Sequence, residues 1–326
     1  MREIYLRRLT CLWGLKVDVY LIGHLTVDIV VEGGNMRRSL GGTVTFGSLA
    51  AIRHNATPHV VSKVGRDFPD EYLMYLGRNN VDLSYVRLSR YLPTTKFKLV
   101  YREGGERVLY LLSRCEDILS SDVPLDKLKG NIAVIGALIG EVPPSVVQEI
   151  SEHASLVVSD LQGYVRRQSE DRSIVLASTP EAKLLISLSD VVHAEVAEAK
   201  AVFGDLPPAE LAKRIVEGGA AVALVTLGAG GAYVATKQRV LFVPSFPTRV
   251  VDRTGAGDVF TTVFAIEYHR LGDYREAAAY ATAAVSFLIE KPGPDGLRSR
   301  WEVKRRAEKI LNEIREYPLD EDRRSR

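Results

Sequence analysis

The chain predicts an α/β protein, a three-layer sandwich with a central, mostly parallel sheet and a small β lid. Three observations lead there. Short apolar runs recur along the sequence, with amphipathic helical patterns between most of them. Strands that alternate with helices build a parallel sheet covered on both faces. One stretch, 94–113, breaks the alternation with a period-two pattern. The apolar fraction of 46% and charged fraction of 26%, over 326 residues, suit a globular chain with a substantial core.

The elements follow in order. Residues 17–23 read as a buried strand ending in glycine. Similar runs lie at 58–63, 132–136, 156–160, 184–187 and 222–227, and helical patterns at 47–53, 70–79, 144–153, 195–203 and 208–217. Residues 94–101 alternate, Gly104-Gly105 signals a hairpin turn, and 108–113 returns. A hairpin inserted in an α/β chain is either a lid or an ordinary edge hairpin, and 25–31 is placed to pair with it. Two long helices follow at 258–271 and 274–289. The second is dense in alanine, which allows close packing of helices or of a flat ligand. Lys291-Pro292-Gly293-Pro294 breaks it. Residues 301–314 form a charged amphipathic helix, and the chain frays from Pro318. The expected organisation is an N-terminal extension over 1–16, a domain over 17–314 with its lid at about 24–39 and 92–113, and a tail over 315–326. Arg2, Arg7 and Arg8 precede an apolar stretch at 9–15 that is too short for a signal peptide.

Composition excludes several classes. A net charge of +2 gives no reason to expect nucleic acid, and the basic residues near the C-terminus read as a solvated face. No run of 18 apolar residues predicts a membrane span. Cys11 and Cys115 make no disulfide framework, which fits a reducing, cytoplasmic compartment. Neither CxxC nor a histidine cluster suggests zinc. Asn, Gln, Met and Cys are scarce, as in proteins of hot-living organisms. The first strand leads to Gly23-His24-Leu25-Thr26 and not to GxGxxG, and no GxxxxGK[ST] string occurs.

The chemistry concentrates in Asp252-Arg253-Thr254-Gly255-Ala256-Gly257-Asp258, where an apolar strand-like run gives way to a helix. Gly255, Ala256 and Gly257 have almost no side chain, so their N–H groups can approach an anion. A helix N-terminus favours negative charge there. Asp258 supplies a carboxylate one residue beyond. An anion cradle beside a base is what phosphoryl transfer to an alcohol requires. Upstream, Gly41-Gly42-Thr43-Val44-Thr45-Phe46-Gly47 precedes a helix, and its paired glycines allow a polar ligand close to the backbone. Asp28, after the first strand, is either an acceptor for vicinal hydroxyls or a strand-end turn residue.

Together these residues resemble the ribokinase-like (PfkB) carbohydrate kinase family, over about Val17 to Gly293. The resemblance implies that Gly41, Gly42 and Asp28 lie near the sugar. It implies that Gly255, Ala256 and Gly257 form the anion hole, and that Asp258 is the general base that deprotonates the acceptor hydroxyl. Thr226-Leu227-Gly228-Ala229-Gly230-Gly231 is similar to the family's nucleotide-binding turn, so Thr226, Gly228 and Gly231, with Thr254, are expected at the nucleotide. His193-Ala194-Glu195-Val196-Ala197-Glu198 stands where the family has Asn-x-x-Glu. Glu195 replaces the usual Asn, while Glu198 is kept as a magnesium residue acting through water.

Asp160-Leu161-Gln162-Gly163-Tyr164-Val165-Arg166, with His193-Ala194-Glu195 and Arg114-Cys115-Glu116, resembles the archaeal myo-inositol kinase branch. It makes Asp160, Gln162 and Arg166 substrate-binding residues, with an ion pair from Arg166 to Asp160 or Asp171 as the other use of that arginine. The expected activity is phosphorylation of a sugar or polyol hydroxyl, myo-inositol foremost, with ATP and Mg²⁺. Nucleoside, ribose, fructose or a sugar phosphate are the alternative acceptors. A non-catalytic sugar- or nucleotide-binding regulator is the alternative from another class. Neither nucleic acid nor membrane is expected as a partner, and exposed lid edges allow a homodimer.

Overall fold

Strand β1 (Val17–Ile22) shows why both faces of the sheet are covered. Val19 and Leu21 enter one apolar core, Tyr20 and Ile22 another, and none is more than 3% exposed. Alternate side chains that are all buried need layers on both sides. The computed structural model describes residues 17–101 and 107–317. The extension at 1–16, Cys11, the expected Gly104-Gly105 turn and the tail from 318 lie outside them.

After β1 come β2 (Thr26–Glu32), β3 (Asn35–Gly41), α1 (Thr43–Arg53), β4 (Ala56–Val64), α2 (Asp70–Arg78) and β5 (Asp82–Leu88). The chain continues through β6 (Lys96–Tyr101), β7 (Arg107–Ser113), β8 (Ile132–Ile135), α3 (Pro144–His153), β9 (Leu156–Asp160), the short α4 (Gln162–Val165), β10 (Arg166–Gln168) and β11 (Ile174–Leu176). Next are α5 (Pro180–Leu188), β12 (Val191–Glu195), α6 (Val196–Phe203), α7 (Pro208–Glu217), β13 (Val222–Thr226), β14 (Ala232–Ala235) and β15 (Val240–Val243). The last elements are α8 (Ala256–Leu271), α9 (Tyr274–Leu288), α10 (Arg300–Glu313) and β16 (Arg315–Tyr317).

Ten strands make the central sheet, in the order β16-β15-β14-β13-β12-β9-β8-β1-β4-β5. Neighbours from β13 to β5 run parallel, and the β14–β16 end is antiparallel. One face packs on α1, α8, α9 and α10, the other on α3, α5, α6 and α7. The alanines of α9 are buried in the core that holds α8, so they serve helix packing, one of the two uses the sequence left open. A separate four-stranded sheet has the order β3-β2-β6-β7. β2 pairs parallel with β6 from Ile29 opposite Lys98 to Val31 opposite Val100. The β10–β11 hairpin leans on β7 through a Tyr110–Ser173 bridge and the Leu111 N–H to the Arg172 carbonyl, 3.0 Å. No helix among the described residues is long and apolar enough to cross a membrane.

One expected strand is corrected. Residues 184–187 belong to α5, and the strand is β12. A short apolar run does not separate buried strand from buried helix. The start signal decides it: Pro180 opens the helix, and the Thr179 hydroxyl accepts the Ala182 N–H at 3.0 Å. The first-motif helix also starts earlier than expected, at Thr43 and not at Gly47.

Glu267 ties α1, α8 and α10 together. It is fully buried and accepts from His54 Nδ1 at 3.0 Å, from Arg270 at 2.9 Å and from both Nε and a terminal nitrogen of Arg300 at 2.9 Å. Burial alone would raise its pKa, but the hydrogen bonds from His54 and Arg300 prevail and hold it at about 2, below the ordinary 4.5. Its stabilisation is therefore complete above about pH 4.5 and is lost as pH falls toward 2. Glu267→Ala leaves two arginines and an imidazole without their shared carboxylate and costs about 3–5 kcal/mol at pH 7. Urea unfolding should show that gap, and the gap to wild type should narrow by pH 3. A gap that does not change with pH would remove the carboxylate's charge from the explanation.

Candidate active site

Three parallel strands end side by side with polar residues on the face that meets α8. Asp160 closes β9, His193 lies opposite it on β12, and Thr226 closes β13. His193 Nδ1 lies 2.9 Å from Asp160 Oδ2, and Nε2 lies 3.1 Å from the Thr226 hydroxyl. Asp160 is 2% exposed and His193 3%. An ionised carboxylate only accepts, so Nδ1 carries the proton. Burial opposes charge on the imidazole, but Asp160 prevails and holds His193 above the ordinary histidine value. Ligands of such sheets bind beyond the carboxyl ends of the strands.

The start of α8 is drawn onto this face. Asp252 pins the preceding loop: Oδ1 accepts the Thr254 N–H at 2.9 Å and its hydroxyl at 2.6 Å, and Oδ2 accepts the Gly293 N–H at 3.0 Å. Gly255 has φ +79°, and a methyl there would overlap the ring of Phe46. Only glycine lets the loop lie on that ring at this backbone angle. The Ala256 N–H donates to the Arg253 carbonyl at 3.2 Å. Of the three amides expected to form a cradle, that one closes the turn. A methyl at Gly257 would come within 3.4 Å of His193 Cε1, which places the first turn of α8 against the Asp160–His193 pair.

Asp258 faces inward from that turn. Burial, then the charge of Asp160, push its pKa up to about 6, while a hydrogen bond from Thr43 and the charges of Arg166 and His193 act the other way. Asp28 is pushed up to about 6, first by burial and then by Asp258, although the Thr26 hydroxyl donates to it at 2.9 Å. Gly41, across the strand pair, has no room for a side chain, because a methyl would strike the Asp28 carboxylate. At Gly42 (φ +92°) a methyl would strike the His24 carbonyl. Gln162 donates its N–H to Asp160 Oδ1 and its Nε2 to the Thr43 hydroxyl, each at 2.9 Å.

Arg166 reaches the Leu138 carbonyl at 3.5 Å and has no ion pair among the described residues. It does not pair with Asp160 or Asp171; Asp171 accepts instead from Ser169 and Ser173. The charge of Arg166 is felt by Asp28, Asp258 and Glu198. Glu198 is buried, accepts the Glu195 N–H at 2.9 Å, and is pushed up to about 7 by burial and then by Asp160. Glu195 itself is exposed.

Asp28, Asp160, Gln162, Arg166, Glu198 and Asp258 therefore share one electrostatic neighbourhood. Thr226 joins it through His193. Gly228 and Gly231 lie on a short helical turn closed by the Leu227 N–H to the Gly231 carbonyl at 2.8 Å, and Gly228 has open space beside it. Among the described residues no trio of His, Cys, Asp or Glu has the arrangement of a metal cage.

Two features were not singled out in the sequence. Thr43 receives the Gln162 amide from a distant element, and its only signal was its place behind Gly41-Gly42. A second buried network lies where the chain passes between the two sheets. The His24 ring contacts the Thr95 hydroxyl at 2.8 Å and the Glu116 carbonyl at 2.9 Å, the His24 backbone N–H donates to Glu141 at 3.1 Å, and Glu141 also accepts from the Leu138 and Ile139 backbone N–H groups. No local pattern announces those pairings.

Comparison with known proteins follows the same outline. The profile of the pfkB family carbohydrate kinases matches residues 7–299. Inositol 3-kinase of Arabidopsis thaliana is 27% identical over 250 residues, which is 74% of this chain and 65% of that protein. A pyrophosphate-dependent kinase of the ribokinase family, solved with a pyrophosphate analogue and myo-inositol, superposes with TM-score 0.77 at 24% identity, covering 88% of this chain and 99% of the other. Ribokinase of Arabidopsis thaliana, solved with ribose and ATP, superposes with TM-score 0.73 at 19% identity over 90% and 99%. These superpositions show a ribokinase-like fold.

Proposed function

The chain belongs to the pfkB family of carbohydrate kinases, and from that premise we propose that it transfers a phosphoryl group from ATP to a hydroxyl of a neutral polyol, myo-inositol foremost. One observation carries the reading: Asp28, Asp160, Gln162, Arg166 and Asp258 converge at the strand ends, beside the glycine start of α8. In this reading the acceptor sits under the four-stranded sheet, which acts as the lid. Asp28, Asp160, Gln162 and Arg166 bind and orient its hydroxyls. Asp258 takes the proton of the attacking hydroxyl; the new oxygen–phosphorus bond forms as the bond from the γ-phosphorus to the bridging oxygen breaks, releasing the diphosphate. The free amides at the start of α8 face the developing charge. The open side of the Gly228 turn receives the donor.

In this reading a divalent ion would be held by donor phosphates and waters, with Glu198 as an outer partner. That ion would supply charge neutralisation on the phosphates.

Charge selects the acceptor class. Among the described residues, Asp28, Asp160, Glu198 and Asp258 share their neighbourhood with one arginine that makes no ion pair, Arg166. A phosphorylated acceptor needs more cations than that. On β6, Phe97 and Leu99 turn inward to pack with Leu138, so Lys96 and Lys98 take the opposite face, and Lys96 is tied to Asp67 at 2.5 Å. A neutral ring of hydroxyls fits the donors and acceptors that remain. The Arabidopsis inositol 3-kinase supports the same substrate class.

The test is phosphoryl transfer to myo-inositol, ribose, fructose, fructose 6-phosphate, adenosine and cytidine, with ATP or pyrophosphate as donor and Mg²⁺ present. Strong turnover with ATP and myo-inositol is expected. Turnover confined to fructose 6-phosphate or a nucleoside would overturn the polyol assignment. Turnover with pyrophosphate alone would overturn the donor. Ligand binding without any turnover would favour the regulator.

A further inference from the structure

We propose that the β10–β11 hairpin is a strap that holds the four-stranded sheet down over the acceptor pocket, with Gln168 as its positioning residue. The proposal rests on the reading of that sheet as the lid. β7 is an edge strand, and an uncovered edge presents backbone N–H and C=O groups that seek partners. The hairpin takes both such groups of one residue. The Leu111 N–H donates to the Arg172 carbonyl at 3.0 Å, and the Leu111 carbonyl accepts Gln168 Nε2 at 3.1 Å. A carbonyl can only accept, which fixes which end of the Gln168 amide faces it. Ile174 of β11 packs against the cluster of Phe97, Leu99, Leu111 and Leu138 on the inner side of the sheet.

The two ends of the hairpin are held by different parts of the molecule. At its base, the Val165 carbonyl accepts the Ala177 N–H at 2.8 Å and the Tyr164 carbonyl accepts the Thr179 hydroxyl at 2.7 Å. Tyr164 is buried and its own hydroxyl donates to the Val142 carbonyl at 2.7 Å, so the base belongs to the core beside the central sheet. At the tip, Arg172 has φ +67°, a conformation that a non-glycine residue keeps only where its surroundings hold it. Asp171 holds it: Oδ1 accepts the Ser173 N–H at 2.9 Å and the Ser169 hydroxyl at 2.5 Å. The Ser169 N–H donates to the Ser173 carbonyl at 2.9 Å. The turn thus aims the Arg172 carbonyl at Leu111. Arg166 opens β10, and its guanidinium reaches the Leu138 carbonyl at 3.5 Å, beneath the same sheet. A sheet that lifts from the body must break the two Leu111 bonds or bend the hairpin that begins with Arg166. The opposite edge, β3, is exposed over 35–38, so the seating lies at β7.

The experiment compares the wild-type chain with Gln168→Ala, Asp171→Ala and the double variant. Gln168→Ala removes the side-chain bond to β7, and Asp171→Ala loosens the turn that aims the Arg172 carbonyl. Both residues are exposed, so neither change threatens folding, and thermal melting checks it. The readouts are hydrogen exchange of the amides at 108–113, KM and kcat for myo-inositol with ATP and Mg²⁺, and ATP hydrolysis without acceptor. Exchange at 108–113 should quicken in each variant and most in the double one. KM for the acceptor should rise about three- to tenfold, the size of one lost hydrogen bond, while kcat changes by less than about twofold. Acceptor-free hydrolysis should rise severalfold, because a loosened lid admits water. A merely structural role would lower every rate through lost folded protein and would not raise hydrolysis. Unmoved exchange at 108–113 overturns the strap. Quickened exchange with unmoved KM and hydrolysis overturns its action on the pocket. A wild type that transfers to no polyol refutes the acceptor reading instead, and exchange and hydrolysis still decide the strap.

Discussion

Asp258→Asn should lower kcat by about a thousandfold or more and leave donor affinity within a few fold of wild type. The amide has the size of the carboxylate, so the turn at Gly255 and the Asp160–His193 pair have no steric reason to move. What disappears is the proposed proton acceptor. In the proposed reading the donor is held through backbone amides and the Gly228 turn, neither of which involves this side chain. Burial and the charge of Asp160 set the wild-type group at about 6, so near neutral pH it is mostly ionised and still basic enough to accept a proton. Rate loss on acidification should follow that group, and residual activity in the variant should lack the same limb. Steady-state rates from pH 5 to 9, with donor binding by calorimetry, check both parts. A variant within about tenfold of wild type would remove Asp258 from the chemistry.

Gly255→Ala should damage both stability and turnover. At φ +79° a non-glycine residue costs about 1–2 kcal/mol, and its methyl would overlap Phe46, a core side chain that is 4% exposed. Overpacking of that kind adds about 1–3 kcal/mol. Either the ring or the loop must move, and loop movement carries the amides and Asp258 out of place. The melting temperature should fall by several degrees, and kcat should fall by more than lost folding explains. Phe46→Ala added to Gly255→Ala should recover part of the turnover, because it removes the obstacle under the loop. A single variant with unchanged melting and rate would show that the ring does not set the loop.

Much of this arrangement was legible in the sequence because it depends on local rules. Strands such as β9 and helices such as α3 and α7 carry their patterns in adjacent residues, and their bounds match the expected ones. The glycines at 41, 42 and 255 announce themselves because close packing tolerates nothing larger. What was not legible depends on register and on distant partners. Asp160 faces His193 because parallel strands align them, and no property of 156–160 or 191–195 alone states that alignment. Thr43 looks like a helix-start residue until Gln162 arrives from another element, 119 residues away. The misassigned run at 184–187 shows the same limit within one element, since the Thr179 cap and Pro180 start upstream of it outweigh its apolar content.

The contacts between α1 and α8 also bear on how the chain is made. Phe46 underlies Gly255 near one end of this helix pair, and His54 meets Glu267, 213 residues later, near the other. During synthesis the first motif leaves the ribosome long before its counterpart exists. A nascent chain ending before α8 has no partner for His54, no cover for the apolar face of α1 and no floor-and-loop contact at Phe46. Such contacts between distant residues close late and slowly. Catalytic competence should then be all-or-none along the growing chain, acquired when α8 docks, and a C-terminally shortened product is a substrate for quality control and not a weak kinase.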